Sequence, residues 1–128
     1  MGTDNDSMSA ILLVEDEFLV RLFAIDALED AGFRVLPAET ADAALKALRE
    51  APDVRAAVID MGLPDRSGDQ LAAEVRALRA DLPIVIASGR SGRELRERFA
   101  QQPNVTVLVK PYTAELLLDA LAAVGVNS

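Results

Sequence analysis

Five short apolar runs, beginning near Ile11, Phe33, Ala56, Ile84 and Val105, recur along the chain, and each gap between them carries apolar residues at helical spacing. Strand-like runs separated by stretches of helical periodicity are the signature of repeated βα units. A strand followed by a helix feeds back into a parallel neighbour, so the repeat predicts an α/β fold with a doubly wound, five-stranded parallel sheet. A length of 128 residues is one domain's worth, large enough to bury a core without disulfides or structural metals. Residues 10–126 are therefore expected to form a single domain, behind a polar, Asp-rich tail over residues 1–9.

The helices differ in how well they are marked. Phe18, Leu22, Ile25 and Leu28 form the apolar stripe expected to face the sheet from the first, which should stop at Gly32. Thr40 is placed to cap a second, carrying Ala44, Leu45 and Leu48. Ser67 and Gln70 read as a capping box for a third, with Leu71, Val75 and Leu78 inward. A fifth follows Thr113 and buries Leu117, Ala120, Leu121 and Val124. The fourth has Ser91 and Glu94 as a capping box but only Leu95 and Phe99 to bury, with Gly92 in its first turn, so it should be short or mobile.

Composition closes several functional routes. The chain has no cysteine and no histidine, which removes disulfides, thiolate metal sites and imidazole as ligand, base or phosphate carrier. A formal net charge of −8 supplies no basic face for direct nucleic-acid binding. No apolar run approaches the length of a membrane span, and no charged-then-apolar leader opens the chain, so a soluble, cytoplasmic domain is expected.

What remains is carried by the strand ends. Ile11 to Val14 runs into Glu15-Asp16, Ala56 to Ile59 into Asp60, Ile84 to Ala87 into Ser88, and Val105 to Val109 into Lys110-Pro111. Parallel strands bring all of these groups to one edge. In a flavodoxin-like (βα)5 three-layer sandwich of order 2-1-3-4-5, a sheet type for which the rule was framed, ligands bind where the winding reverses, between strands one and three. Glu15, Asp16 and Asp60 should then converge, and their mutual repulsion calls for a hard cation, Mg²⁺ first and Mn²⁺ as an alternative. Asp16 and Asp60 are assigned as direct ligands, Glu15 as a ligand through water, and the Gly62 backbone carbonyl as a further oxygen. One Asp60 oxygen is left to attack phosphorus, with Lys110 and the Ser88 hydroxyl to receive the charge on the phosphoryl oxygens. Taken singly, Asp16 reads as a helix cap, Lys110-Pro111 as a loop and Ser88-Gly89 as a turn. Their joint order at successive strand ends is what sets them apart.

These residues carry a resemblance. Leu13-Val14-Glu15-Asp16-Glu17, Asp60-Met61-Gly62-Leu63-Pro64, Ser67-Gly68, Ile86-Ala87-Ser88-Gly89 and Lys110-Pro111-Tyr112 fall where the receiver domains of bacterial two-component response regulators place their motifs. From Ala10 to Val124 the chain resembles that family. The resemblance implies that Asp60 accepts a phosphoryl group from a phosphohistidine on a histidine kinase or histidine phosphotransfer protein, and that the Lys110–Pro111 bond is cis. It implies a phosphorelay signalling domain rather than an enzyme in its own right. Its output would be a downstream protein bound at the face of the fourth helix, fifth strand and fifth helix, and a homodimer through that face is left open.

Where many receivers carry an aromatic residue three positions before the Lys, this chain has Val107, so no ring can turn inward. With Ala-Ser-Gly and Lys-Pro-Tyr this resembles the FAT GUY subclass, although Arg90 follows Gly89 and no Tyr follows there. The signal is then expected to pass through reordering of the fourth helix, with Tyr112 as a participant. Gly62 and Arg90 flank the phosphate position; Arg90 reads equally as a shield or as a solvated charge. Three rival readings stand beside this one. A phosphate-silent receiver acting only as a binding module is the most serious, although Asp60, Asp16 and Lys110 are intact. A metal-dependent phosphatase would need a second acid where Gly62 stands, and a flavin-binding protein would not place Glu15-Asp16-Glu17 against a phosphate.

Overall fold

The computed structural model describes residues 9–89, 92–99 and 102–127. Most of the polar tail, and the roles expected of Arg90 and Ser91, lie outside those residues. Five strands, β1 (Ala10–Val14), β2 (Arg34–Ala38), β3 (Val54–Asp60), β4 (Ile84–Ser88) and β5 (Val105–Val109), alternate with five helices. The helices are α1 (Phe18–Asp30), α2 (Ala41–Glu50), α3 (Gly68–Leu78), α4 (Gly92–Phe99) and α5 (Ala114–Ala123). The strands are all parallel, in the order β2-β1-β3-β4-β5. This is the doubly wound, flavodoxin-like sheet the alternation predicts.

Period-two alternation along each strand divides the core into two layers. Leu12, Val14, Ile59, Ile84, Ile86 and Val107 pack under α2, α3 and α4. Ile11, Leu13, Val58, Val85 and Leu108 pack under α1 and α5. No helix among the described residues is long and apolar enough to cross a membrane.

Helix ends largely follow local chemistry. Thr40 Oγ1 accepts from the Ala43 N–H at 3.0 Å and Thr113 Oγ1 from the Leu116 N–H at 3.1 Å, as N-caps. At the end of α1, Gly32 has φ of 97°, the Phe33 N–H donates to the Leu28 carbonyl, and the Gly32 N–H to that of Glu29. That is a Schellman stop, which needs the left-handed conformation glycine adopts freely.

Three expectations are corrected. Of the stripe expected on α1, Leu28 is buried and Ile25 packs half-buried beside it, but Phe18 and Leu22 are exposed, as are Leu19, by 72%, and Phe23; Ala24 and Ala27 complete the inward face. Alanines at helical spacing let the helix sit close to the sheet and turn the larger side chains outward. Ser67 stands at the N-cap of α3 but makes no side-chain cap: its hydroxyl donates to Asp69 Oδ1 at 2.6 Å, and that carboxylate accepts at 3.0 Å from the Gln70 N–H that a capping box would give to Ser67. Leu78, expected inward, is exposed at the helix end. The fourth helix is indeed the shortest of the described helices, held by buried Leu95 and Phe99.

Candidate functional site

Strand register builds the site. Val14 pairs with Ile59, Asp60 with Ala87 and Ser88 with Val109, so Glu15, Asp60, Ser88 and Lys110 emerge together at the carboxyl edge of β1, β3, β4 and β5. Among the described residues, the buried polar or charged side chains are Glu15, Asp60 and Ser88, and all three sit at this edge. Burial of two carboxylates costs free energy unless they find partners. Lys110 supplies one to both, its Nζ lying 2.9 Å from Glu15 Oε1 and 3.0 Å from Asp60 Oδ1.

Glu15 is satisfied on its other side by the Glu17 N–H, which donates to Oε2 at 3.1 Å. Burial pushes the Glu15 carboxyl above its ordinary value, against the hydrogen bonds from Lys110 and the Glu17 N–H and with the Asp60 charge adding to the rise. Burial works to lower the Lys110 ammonium, but its hydrogen bonds to Glu15 and Asp60 outweigh that and raise it. Asp16 is exposed beside this pair. One carboxylate oxygen each from Glu15, Asp16 and Asp60 lies within 4.8 Å of the others, an all-oxygen donor set of the kind a hard divalent cation takes.

Asp60, although buried, faces a cleft of about 720 Å³ whose lining includes Asp16, Gly62, Ser88, Glu94, Arg98 and Lys110. Its Oδ2 faces Gly62, where a Cβ would stand 3.8 Å away. Every residue the sequence singled out at the strand ends is therefore in one place. The Lys110–Pro111 peptide is cis, as the resemblance implied. Tyr112 packs against Phe23 of α1, ring centroids 6.1 Å apart, and burial followed by the Glu15 charge pushes its phenol up to about 12. Val107 is buried in the layer beneath α4.

Sequence reasoning missed the residues that hold the loops. Arg21, one turn into α1, donates to the backbone carbonyl of Glu15 at 3.0 Å and of Asp16 at 3.4 Å, fixing the acidic turn. Asp65, just after the Asp60 loop, accepts from the N–H groups of Ala41 at 2.9 Å and Asp42 at 3.1 Å, tying that loop to the start of α2. Arg98 of α4 reaches Asp69 of α3 at 2.7 Å. The Arg21 spacing was readable; the other two contacts span elements far apart in sequence.

Residues 11–122 match the response regulator receiver domain. The virulence transcriptional regulatory protein PhoP of Salmonella typhimurium is 31% identical over 117 residues, 91% of this chain and 51% of PhoP. The sensor kinase CckA of Brucella abortus is 28% identical over 91% of this chain but 12% of its own length. The chain thus spans about half, or less, of these curated relatives. The chemotaxis protein CheY4 of Vibrio cholerae superposes with a TM-score of 0.84 at 26% identity, covering 92% of this chain and 99% of that one. With the sheet order, the acidic edge and its bridging lysine, these matches establish that the chain belongs to the response regulator receiver domain family of two-component systems.

Proposed function

We propose that this chain is a phosphoacceptor: Asp60 takes a phosphoryl group from a phosphohistidine on a histidine kinase or a histidine phosphotransfer protein. The observation that carries the reading is Asp60 itself, held by Lys110 at 3.0 Å and open to a cleft that also contains Ser88 and Asp16. A carboxylate oxygen of Asp60 attacks phosphorus, the nitrogen–phosphorus bond breaks, and the imidazole nitrogen keeps the electron pair. Asp60 becomes an acyl phosphate. Lys110 and the Ser88 hydroxyl take up the charge on the phosphoryl oxygens, so the protein's part is positioning and neutralisation.

Asp16 and Asp60, with the Gly62 carbonyl and with Glu15 through water, fit Mg²⁺, and Mn²⁺ suits the same oxygens. When bound, the ion supplies positive charge to the carboxylates and to the incoming phosphoryl oxygens. The donor docks over the exposed apolar residues of α1, because a second cleft lined by Leu19, Phe23, Pro111 and Tyr112 runs into the first through Glu17, Gly89 and Lys110. The response leaves through a downstream protein bound at the face of α4, β5 and α5. The chain works as a cytoplasmic signalling partner that assists its own phosphorylation and dephosphorylation.

Incubation with acetyl phosphate and Mg²⁺, followed by intact mass, tests this. Wild type should gain one phosphoryl group and Asp60→Asn none. An unchanged wild type, or an equal gain in the variant, contradicts the assignment.

A further inference from the structure

We propose that Arg98 of α4 is a second phosphoryl-binding cation, held by Asp69 until Asp60 is phosphorylated and then exchanged onto the phosphoryl group. This rests on the phosphoacceptor reading of Asp60. Among the described residues, the cleft is lined by two cations, Lys110 and Arg98, against Asp16, Glu17, Asp60 and Glu94. Lys110 is already shared between Glu15 and Asp60. Three carboxylates, Glu15, Asp16 and Asp60, are offset by Lys110 and a divalent cation, and phosphorylation replaces one monoanionic carboxylate by a group approaching a dianion, so the site gains negative charge that neither of these offsets.

Arg98 is suited to respond. Its present bond to Asp69 joins side chains that are 54% and 31% exposed, a pair that water screens and that is cheap to give up. Asp69 is not left unpaired by the exchange, because the Ser67 hydroxyl at 2.6 Å and the Gln70 N–H at 3.0 Å also donate to it. A guanidinium offers two parallel N–H groups to phosphoryl oxygens, whereas Arg98 meets Asp69 through Nη1 and Oδ2 at 2.7 Å. Glu94, one turn earlier on α4, faces the same cleft, so the new charge attracts one residue of this helix and repels another.

The consequence is mechanical. Exchange unties α4 from the start of α3, and α4 is a short helix whose described apolar anchors are Leu95 and Phe99. A signal can thus reach the α4 face without an aromatic ring at Val107.

The test compares wild type, Arg98→Gln, Asp69→Asn and the double variant. Half-saturation by beryllofluoride in the presence of Mg²⁺ is followed by amide chemical shifts, and α4 opening by hydrogen exchange over residues 92–99. Arg98→Gln should weaken beryllofluoride binding about tenfold, the scale of a lost charge-assisted contact, with half-saturation by Mg²⁺ alone unchanged. Asp69→Asn should tighten it several-fold, and the double variant should match Arg98→Gln. Beryllofluoride should change exchange in α4 of wild type and not of Arg98→Gln. Equal affinities in wild type and Arg98→Gln, or an Asp69→Asn effect that persists without Arg98, overturn the proposal while leaving Asp60 as acceptor. A wild type that neither binds beryllofluoride nor gains a phosphoryl group overturns both.

Discussion

Replacing Gly68 by Ala tests how the phosphoacceptor is held in place. Gly68 opens α3, and its N–H donates to the Met61 carbonyl at 3.0 Å, so the helix start rests directly on the chain leaving β3. A Cβ there would lie 2.5 Å from the Asp60 carbonyl oxygen, 2.8 Å from Met61 Cα and 2.9 Å from the Asp60 carbonyl carbon. All three atoms are backbone, so no side-chain rotation relieves the contact, and α3 or the Asp60 loop must move by roughly 1 Å to restore ordinary packing. Overpacking of this kind costs about 1–3 kcal/mol, and three simultaneous backbone contacts put it at the upper end. Alanine's better helix propensity returns at most about 1 kcal/mol, less in a first turn. A net loss of about 2 kcal/mol is expected, read as a lower urea midpoint at unchanged slope. Because the displaced atoms belong to Asp60 and Met61, phosphorylation by acetyl phosphate should also slow by at least about tenfold, as displacements near 1 Å do in positioned sites. An unchanged midpoint together with a wild-type phosphorylation rate would falsify the idea that this close approach positions Asp60.

Three further outcomes follow from the same geometry. Burial holds the Glu15 carboxyl above the value of 4.5 it has when unfolded, so the folded state binds more protons between the two and wild-type stability rises as pH falls through that window. In metal-free protein, wild type should therefore gain in Tm relative to Glu15→Gln as pH falls toward the ordinary carboxyl value, and parallel profiles would remove burial as the cause. Asp16→Asn, at an exposed position, should change stability by no more than about 0.5 kcal/mol yet weaken Mg²⁺ binding at least about tenfold by calorimetry; full affinity would strike Asp16 from the ligands. In metal-free protein Lys110→Ala should cost about 3 kcal/mol of stability, because it strips the ammonium shared by the buried Glu15 and Asp60 carboxylates, and should abolish the spread of phosphorylation-induced shifts beyond the cleft. Shifts in α4 and β5 identical to wild type would contradict its coupling role.

The strand-end residues were legible before any coordinates because their placement needs only two facts, the alternation of strands with helices and the parallel direction that follows. Glu15, Asp16, Asp60, Ser88 and Lys110 then share an edge whatever the loop details. The face of α1 was legible only in part, through Ile25 and Leu28. Phe18 and Leu22 lie on a different face from Ala24, Ala27 and Leu28, and periodicity ranks a stripe by apolarity, so large apolar residues outrank the small alanines that let the helix approach the sheet. Ser67 failed as a cap for a different reason: Asp69, two residues on, competes for its hydroxyl. Contacts such as Asp65 on the start of α2 and Arg98 on Asp69 depend on how separate elements dock, for which a single sequence holds no local signal.

Phosphoacceptor function requires that the Asp60 carboxylate itself carry the phosphoryl group. An acyl phosphate is reduced by borohydride to the alcohol, so trapping the phosphorylated protein and sequencing its peptides by mass spectrometry identifies the acceptor directly. Homoserine is expected at position 60 alone, in wild type treated with a phosphodonor and Mg²⁺. Reduction at Glu15 or Asp16, or at no carboxylate in a protein that has gained phosphate, would contradict it.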